Sequence, residues 1–325
     1  MSVKDDIAAL LEKSRGEFIS GQELADKLGC SRGAVWKAVR TLQQQGFDIT
    51  AVTNKGYCLE TDSDILTEQG VRRYLSPDCS QAQLFVFDCV DSTNNIVRQK
   101  AAEGAPEGIV VIAQQQTGGK GRLGRSFFSP KDSGLYLSIL LRPTLEVSRA
   151  VRITTCAALA VCDAIESAAG EKPDIKWVND VYLGGRKVCG ILTEASVSME
   201  SGGLDYAVLG IGINVYEPQG GFPEEIKDIA GAVSKHRTAD LKNKLAACVI
   251  SSFMRYYKDI AQGGFRDDYS RRLMWKGEQI IAVSGENKTP CRIVDVDEEC
   301  RLEVELENGG HKLISSGEIS IRKAK

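Results

Sequence analysis

The sequence is poor in the residues that build metal and disulfide sites. Its two histidines, His236 and His311, lie far apart and are too few for a zinc site. The ten cysteines form no C-x-x-C pair, and several interrupt apolar runs. We therefore expect reduced thiols in the core, with no disulfides and no metal site built by the protein alone. The cysteines are Cys30, Cys58, Cys79, Cys89, Cys156, Cys162, Cys189, Cys248, Cys291 and Cys300.

The sequence also lacks long apolar runs and a strong net charge. No run approaches the roughly 18 to 20 residues that span a bilayer, and the first residues lack the basic and apolar regions of a signal peptide. We therefore expect a cytoplasmic protein that does not associate with membranes. Because the net charge is only −3 over 325 residues, any affinity for nucleic acid must come from a local patch. The length suffices for about two or three domains.

Residues 1–64 are predicted to form a winged helix-turn-helix domain. A short amphipathic helix at 5–14 precedes two more helices. Ser20 is predicted to cap the first of these, with Glu23 completing a capping box, and Ser31 to cap the second. Two β runs, FDITAV and GYCLE, then enclose a turn sequence that favours a small hairpin, the wing.

The second of these two helices carries the local positive charge. From Ser31 to Gln45 it has no acidic residue. This pattern predicts that the helix lies in a DNA major groove, that the wing touches the adjacent backbone, and that specific binding needs a dimer on paired half-sites. The alternative is a helical adaptor whose positive face is merely solvated. The candidate DNA contacts are Arg32, Trp36, Lys37, Arg40 and Lys55.

The remaining chain divides into a central α/β region, 67–274, and an all-β region, 277–325. Five β runs and two long helices, at 147–169 and 239–262, do not alternate strictly, so they favour a mixed sheet backed by helices over a doubly wound parallel sheet. The short β runs after residue 277 predict a small β-barrel. The predicted fold class is therefore α/β of the α+β kind, in three domains.

The stretch TGGKGRLGRSFFSP, Thr117–Pro130, combines glycines and cations without acid. Its glycines Gly119, Gly121 and Gly124 match G-x-G-x-x-G, but a β run follows where a dinucleotide site needs a helix, and no Walker motif is present. Such a loop can wrap its backbone around an anion. Ordering Gly118–Gly124 costs on the order of 10 kcal/mol, so we predict a lid that is mobile when empty and orders on binding. Its cations are Lys120, Arg122 and Arg125.

Two polar clusters accompany the lid. DSTNN, Asp91–Asn95, follows a β run with short polar side chains suited to capping a helix or to binding a compact polar ligand. IKWVND, Ile175–Asp180, places Lys176 beside a tryptophan, and a partly desolvated lysine can stabilise a developing oxyanion. A surface charge on an edge strand is the alternative for this lysine.

At these segments the sequence resembles the biotin protein ligases. DSTN, QTGGKGRLGRSFFSP, KWVND, RKVCGILTE, GIGINV and SGEIS occur in the order and approximate spacing of that family, and the N-terminal domain is similar to that of the bifunctional members, which also repress transcription. The resemblance implies a class II synthetase-like biotin ligase fold and an SH3-like C-terminal barrel. It also implies that biotin and ATP, with Mg²⁺, form biotinyl-5′-adenylate, which acylates a lysine of a biotin carboxyl carrier protein domain.

The resemblance assigns roles to individual residues. It implies catalytic roles for Lys176 and Arg122. Two features depart from the common family pattern: Lys120 stands where arginine is usual, and Val178 where proline is frequent. The implied biotin-binding residues are Ser92, Thr93, Asn94, Gln116, Lys120, Gly121, Arg122 and Lys176, and the implied ATP and adenylate contacts are Gly119, Lys120, Arg122, Arg125 and Asn214.

The two-part architecture suggests a regulatory hypothesis. If the ordered lid forms part of a dimer surface, the adenylate promotes a homodimer that binds operator DNA. Two other interpretations remain: a lipoate-ligase-like enzyme, and a ligand-sensing regulator without turnover. The lid and the KW-x-ND motif argue against the first, and Lys176 and Arg122 against the second.

Overall fold

The computed structural model describes residues 2–197, 203–284, 286–315 and 319–323. The chain divides into two units. The first comprises the chain up to Tyr74 together with His236–Lys244, and the second comprises Leu75–Lys235 and the chain from Leu245 onward. Within the described ranges, no helix has the length and apolar character needed to cross a membrane.

The first unit contains the predicted winged helix-turn-helix. Strands β1 and β2 pair antiparallel and form the wing. The helices pack through buried aliphatic side chains that recur at helical spacing, such as Ile7 and Leu11 in the first helix and Val35, Val39 and Leu42 in the third. The elements are α1 (Val3–Lys13), α2 (Gly21–Leu28), α3 (Arg32–Gln44), β1 (Ile49–Val52), β2 (Gly56–Leu59) and α4 (Glu68–Tyr74).

Side-chain caps set the starts of α2 and α3. Ser20 accepts a hydrogen bond from the backbone N–H of Glu23 at 3.0 Å, and Ser31 accepts one from Ala34 at 3.2 Å, as predicted. The predicted capping box was wrong in its second bond, which would run from the backbone N–H of Ser20 to the Glu23 carboxylate. The Glu23 carboxylate accepts a hydrogen bond from Lys27 Nζ at 2.7 Å, because this cation lies one turn along the same face of the helix.

A buried ion cluster ties His236–Lys244 into the first unit. Arg15 donates to Glu12 at 2.8 Å and to Asp240 at 2.7 Å. Tyr74 donates to Asp240 at 2.8 Å, and Arg73 approaches it at 3.4 Å. Glu12 is only 1% exposed, so Arg15 supplies the charge that makes its burial tolerable.

The second unit is built on the predicted mixed sheet. Its seven strands lie in the order β3-β4-β5-β9-β8-β7-β6, with β3 parallel to β4 and the other neighbours antiparallel. The elements are β3 (Gln83–Phe87), α5 (Thr93–Ala102), β4 (Ile109–Ala113), β5 (Gly134–Leu141), α6 (Val151–Ala169), β6 (Asp174–Lys176), β7 (Asp180–Leu183), β8 (Arg186–Val197), β9 (Leu204–Asn214), α7 (Leu241–Lys258) and α8 (Arg266–Arg271). The first four residues of α7 belong to the first unit. The two long helices, α6 and α7, are each shorter than predicted.

Helices α5 and α6 cover opposite faces of this sheet. Asn94 of α5 contacts Ser138 of β5 and Glu194 of β8, whereas Thr154 of α6 contacts Thr193, the neighbour of Glu194. Because successive strand residues point to opposite faces, α6 lies behind the sheet and leaves the front free beyond α5.

The C-terminal segment of the second unit is the all-β domain predicted from its short β runs. Its strands form an antiparallel sheet in the order β13-β12-β11-β10-β14. The motif SGEIS begins at Ser316–Glu318, which lie outside the described residues. The strands are β10 (Gln279–Ser284), β11 (Asn287–Val296), β12 (Leu302–Leu306), β13 (His311–Ile314) and β14 (Ile319–Lys323).

Candidate active site

A cavity of about 790 Å³ opens on the front of the mixed sheet, within the size range of small-molecule sites. All but one of the predicted ligand-binding residues line it. The exception, Gly119, lies in the lid, where its carbonyl accepts a hydrogen bond from Phe127 N–H at 2.9 Å. The predicted residues that line the cavity are Ser92, Thr93, Asn94, Gln116, Lys120, Gly121, Arg122, Arg125, Lys176 and Asn214.

Three glycines on adjacent strands shape the cavity floor. A Cβ on Gly212 would lie 2.5 Å from a ring carbon of Phe127, and one on Gly190 would lie 3.0 Å from the same ring. A Cβ on Gly210 would lie 2.2 Å from Asn94 Oδ1. The GIGIN motif therefore provides bare backbone on which Phe127 and Asn94 rest, which explains its alternating glycines.

One end of the cavity is polar, and most of its polar side chains are buried. Ser92 is 1% exposed, and its hydroxyl makes no capping bond to α5. Gln116 Oε1 accepts from the backbone N–H of Thr93 at 2.8 Å, and its Nε2 donates to Ser129 at 3.1 Å. Asn94 donates to Glu194 at 2.7 Å. These contacts fix the amide and hydroxyl groups before any ligand enters.

The lid carries its cations over the cavity. Its backbone closes on itself just below the tip, where Gly121 N–H donates to the carbonyl of Arg125 at 2.7 Å. Lys120 Nζ donates to Asn95 at 2.8 Å, and Arg122 donates to Asn179 at 2.9 Å. Burial lowers the pKa of Arg122, against the opposing charge of Asp180. Leu123, at the tip, is 62% exposed.

Lys176 lies opposite the lid between two aromatic rings. Its Nζ is 5.4 Å from the ring centre of Trp275 and 5.6 Å from that of Tyr182, close enough for cation–π attraction. Burial lowers the pKa of Lys176; Asp180 opposes the shift, and the nearby cations, Lys187 first, add to it. No ion pair to Lys176 is present in the described part of the chain. Lys176 ends the edge strand β6, as the alternative supposed, but it is partly buried and lines the cavity, so it is not a solvated surface charge.

Several further charged residues that line the cavity were not predicted from the sequence. Lys187 of β8 pairs with Asp180 at 2.6 Å, and both line the cavity. The C-terminal strand β14 adds Arg322 and Lys323. The only sequence signal for Lys187 was its place beside the apolar core of RKVCGILTE, whereas nothing in the sequence brings β14 to the cavity.

The cavity is strongly cationic. Seven lysines and arginines line it, but only two aspartates, Asp180 and Asp228. Across the described ranges, no three His, Cys, Asp or Glu side chains are arranged to hold a metal ion. The arrangement therefore suits a ligand that is compact and polar at one end and carries several negative charges at the other.

In the first unit, the predicted DNA contacts all lie on solvent-exposed surface. Arg32, Lys37 and Arg40 project from α3, and Lys55 lies in the wing turn. Trp36 is 55% exposed, and the Arg40 guanidinium lies 5.6 Å from the centre of its ring. A flat aromatic and cationic surface on an exposed helix suits a nucleic-acid groove.

Comparison with known proteins places the chain. Residues 4–58 match an HTH domain, 86–214 the biotin/lipoate A/B protein ligase family, and 277–322 the biotin protein ligase C-terminal domain. The bifunctional ligase/repressor BirA of Bacillus spizizenii is 33% identical, with 97% of this chain and 98% of that protein covered. The chain belongs to the bifunctional biotin ligase/repressor family. The predicted family, fold class and enzyme class are confirmed.

Other family members agree with this assignment. BirA of Escherichia coli is 33% identical over 62% of this chain and 61% of that protein. The biotin protein ligase of Aquifex aeolicus, solved in complex with biotin and ATP, is 29% identical with a TM-score of 0.62 and covers 74% of this chain and 99% of that one. The present chain therefore shares its ligase fold with a protein whose structure contains biotin and ATP.

Proposed function

We propose that this protein joins biotin to a carrier protein in two steps and couples the intermediate to repression. The biotin carboxylate attacks the α-phosphorus of ATP, the bond to the β-phosphate breaks, and pyrophosphate leaves. The lysine amine of a biotin carboxyl carrier protein domain then attacks the biotinyl carbonyl, loses a proton, and releases AMP. The single observation that carries the proposal is that buried polar side chains and a cluster of cations line one cavity.

The polar end is suited to the ureido ring of biotin. Gln116 and Asn94 are held in fixed orientations, and the buried hydroxyl of Ser92 is not used in capping. Apolar groups such as Leu192 and Ile211 line the wall toward the cationic end, where the valeryl chain would pack. We assign Ser92, Thr93, Asn94 and Gln116 to ureido recognition.

The cationic end is suited to the carboxylate and the phosphates. Lys176, Lys187 and Arg122 would neutralise the charge that builds where carboxylate and α-phosphate meet, and one such preorganised donor contributes roughly a hundredfold in rate. Closure of the lid would shield the reactive mixed anhydride from water. We assign Gly119, Lys120, Gly121 and Arg125 to the closed lid over the adenylate, and Asn214 to the nucleotide.

We expect Mg²⁺ to bind together with ATP, not at a site made by the protein alone. Mg²⁺ commonly binds through one or two carboxylates, water and substrate phosphates, not through an all-protein cage. Asp180 and Asp228 are the carboxylates that line the cavity, so the residues present fit a phosphate-held ion. When bound with ATP, the ion would neutralise the departing pyrophosphate.

The enzymatic half is tested by turnover. Purified protein with biotin and Mg-ATP should release pyrophosphate and label a carrier domain, and Lys176→Ala and Lys187→Ala should each lower both rates by roughly a hundredfold. Lys258→Ala, which removes a surface cation paired with Asp78, is the matched control and should leave the rates unchanged. Tight biotin binding without turnover in the wild type would reject the ligase.

The regulatory half is tested by association. Biotinyl-5′-adenylate should convert the protein to a homodimer, and DNA carrying paired half-sites should strengthen adenylate binding reciprocally. Sedimentation velocity with and without the adenylate measures the first effect. One unchanged oligomeric state would reject ligand-dependent dimerisation.

A further inference from the structure

A buried hydroxyl behind the polar end of the cavity joins two of the proposed ureido-binding residues. Ser138 of β5 is fully buried and lies outside the cavity lining. Its Oγ is 2.6 Å from Asn94 Oδ1 and 2.7 Å from Thr93 Oγ1. A serine hydroxyl has one proton, so it donates to one of these partners and accepts from the other.

Glu194 decides the direction of these bonds. An ionised carboxylate only accepts, so the amide nitrogen of Asn94 must face Glu194, which it does at 2.7 Å. The amide oxygen of Asn94 then faces Ser138 and can only accept. The Ser138 proton therefore goes to Asn94, because otherwise two oxygens without a proton between them would lie 2.6 Å apart.

The Thr93 hydroxyl connects Ser138 to the cavity surface. Since Ser138 gives its proton to Asn94, its 2.7 Å contact with Thr93 has a proton only if Thr93 donates it. Gln116 Oε1, at 3.0 Å, is the competing acceptor for the Thr93 hydroxyl, and it already accepts from the backbone N–H of Thr93, so the shorter contact with Ser138 takes the proton. The Thr93 hydroxyl then has lone pairs, and no proton, for the cavity it lines. A ligand group at this point must donate a hydrogen bond, as the N–H of a urea does.

We propose that Glu194 is a positioning residue that sets this relay, Thr93 to Ser138 to Asn94 to Glu194, and so makes the polar end of the cavity selective for N–H donors. The proposal rests on the proposed function, because biotin is the urea it would recognise. Arg98 Nη2 also donates to this carboxylate, at 3.5 Å.

Glu194→Gln tests the relay because it preserves shape and removes the charge. The glutamine can turn its own N–H₂ toward Asn94, which allows the Asn94 amide to turn over and the relay to reverse. We expect biotin affinity, measured by titration calorimetry on the full chain, to fall roughly tenfold, with ATP affinity within twofold of the wild type. Glu305→Gln, which loses an exposed ion pair with Arg292, should change neither.

A double-mutant cycle separates positioning from general damage. Ser138→Ala breaks the relay at its centre and should itself weaken biotin, so adding Glu194→Gln to it should change biotin affinity by less than about twofold. An equal loss in both backgrounds, or no loss from Glu194→Gln alone, would overturn the relay. Reduced ATP affinity in parallel would show structural damage and also count against it. A wild-type protein that does not bind biotin would instead overturn the proposed function itself.

Discussion

Gly212→Ala is a demanding test of the cavity floor. Its new Cβ would lie 2.5, 2.8 and 3.0 Å from three ring carbons of Phe127, whereas ordinary contacts begin at 3.4 Å. The ring must therefore move by about 1 Å, and overpacking of this kind costs about 1–3 kcal/mol. Gly212 does not have the positive φ that would strain alanine, so the loss of chain entropy in the unfolded state offsets only about 0.4–1 kcal/mol. Subtracting the midpoints of these two ranges leaves a net destabilisation of about 1.3 kcal/mol.

The substitution should also affect the ligand. Phe127 forms the base of the lid through its N–H bond to Gly119 and packs edge-on against Tyr136 at 6.3 Å, so the ring cannot move without disturbing the lid. We expect weaker biotin binding in calorimetry and a lower midpoint in urea unfolding. Gly264→Ala is the matched control, because no neighbouring atom would lie within 4 Å of its new Cβ and its φ is ordinary. A Gly212→Ala protein as stable as the control, with wild-type affinity, would refute the reasoning.

Three further outcomes are expected. Because burial lowers the pKa of Lys176 below its ordinary 10.5, the folded protein loses this proton at a lower pH than the unfolded chain does. Between the pKa of the folded protein and that of the unfolded chain, the free energy of unfolding should rise with pH while the adenylation rate falls. Lys176→Arg should keep its adenylation rate to higher pH. A wild-type adenylation rate that stays flat up to the ordinary pKa of lysine contradicts this expectation. Arg15→Met leaves Glu12 buried without its main partner and should destabilise the protein by about 3–5 kcal/mol. Lys27→Met should cost only about 0–1 kcal/mol, because the ion pair of Lys27 with Glu23 is exposed. Equal midpoints of urea unfolding for the two variants would be the contrary result. Arg40→Ala should reduce the salt dependence of DNA binding by about one unit of slope, and an unchanged slope would remove Arg40 from the phosphate contacts.

Much of the architecture could be predicted because its signals are local. Ser20 and Ser31 mark helix starts through bonds that span three residues, and the acid-free face of α3 needs only helical periodicity. The mixed sheet follows from β runs that do not alternate with helices. Strand β7 was missed, and β6 was considered only as the edge-strand alternative for Lys176, because Asp174–Lys176 and Asp180–Leu183 are too short to show a period.

The site was predicted less completely, because its geometry depends on distant segments. The lid and DSTNN have distinctive compositions, so Arg122 and Ser92 were found. Lys187, Glu194 and Arg322 were assigned no role, although they reach the cavity or the side chains behind it through sheet pairing and domain packing. The roles of the predicted site residues remain predictions that the proposed variants test.

Because His236–Lys244 belongs to the first unit, the DNA-binding part of the protein is not one continuous segment of the chain. A truncated chain or gene fusion that ends after the wing would carry Arg15 and Glu12 but lose Asp240, the second partner of Arg15. A DNA-binding fragment that keeps this buried cluster intact therefore needs two separate pieces of the chain.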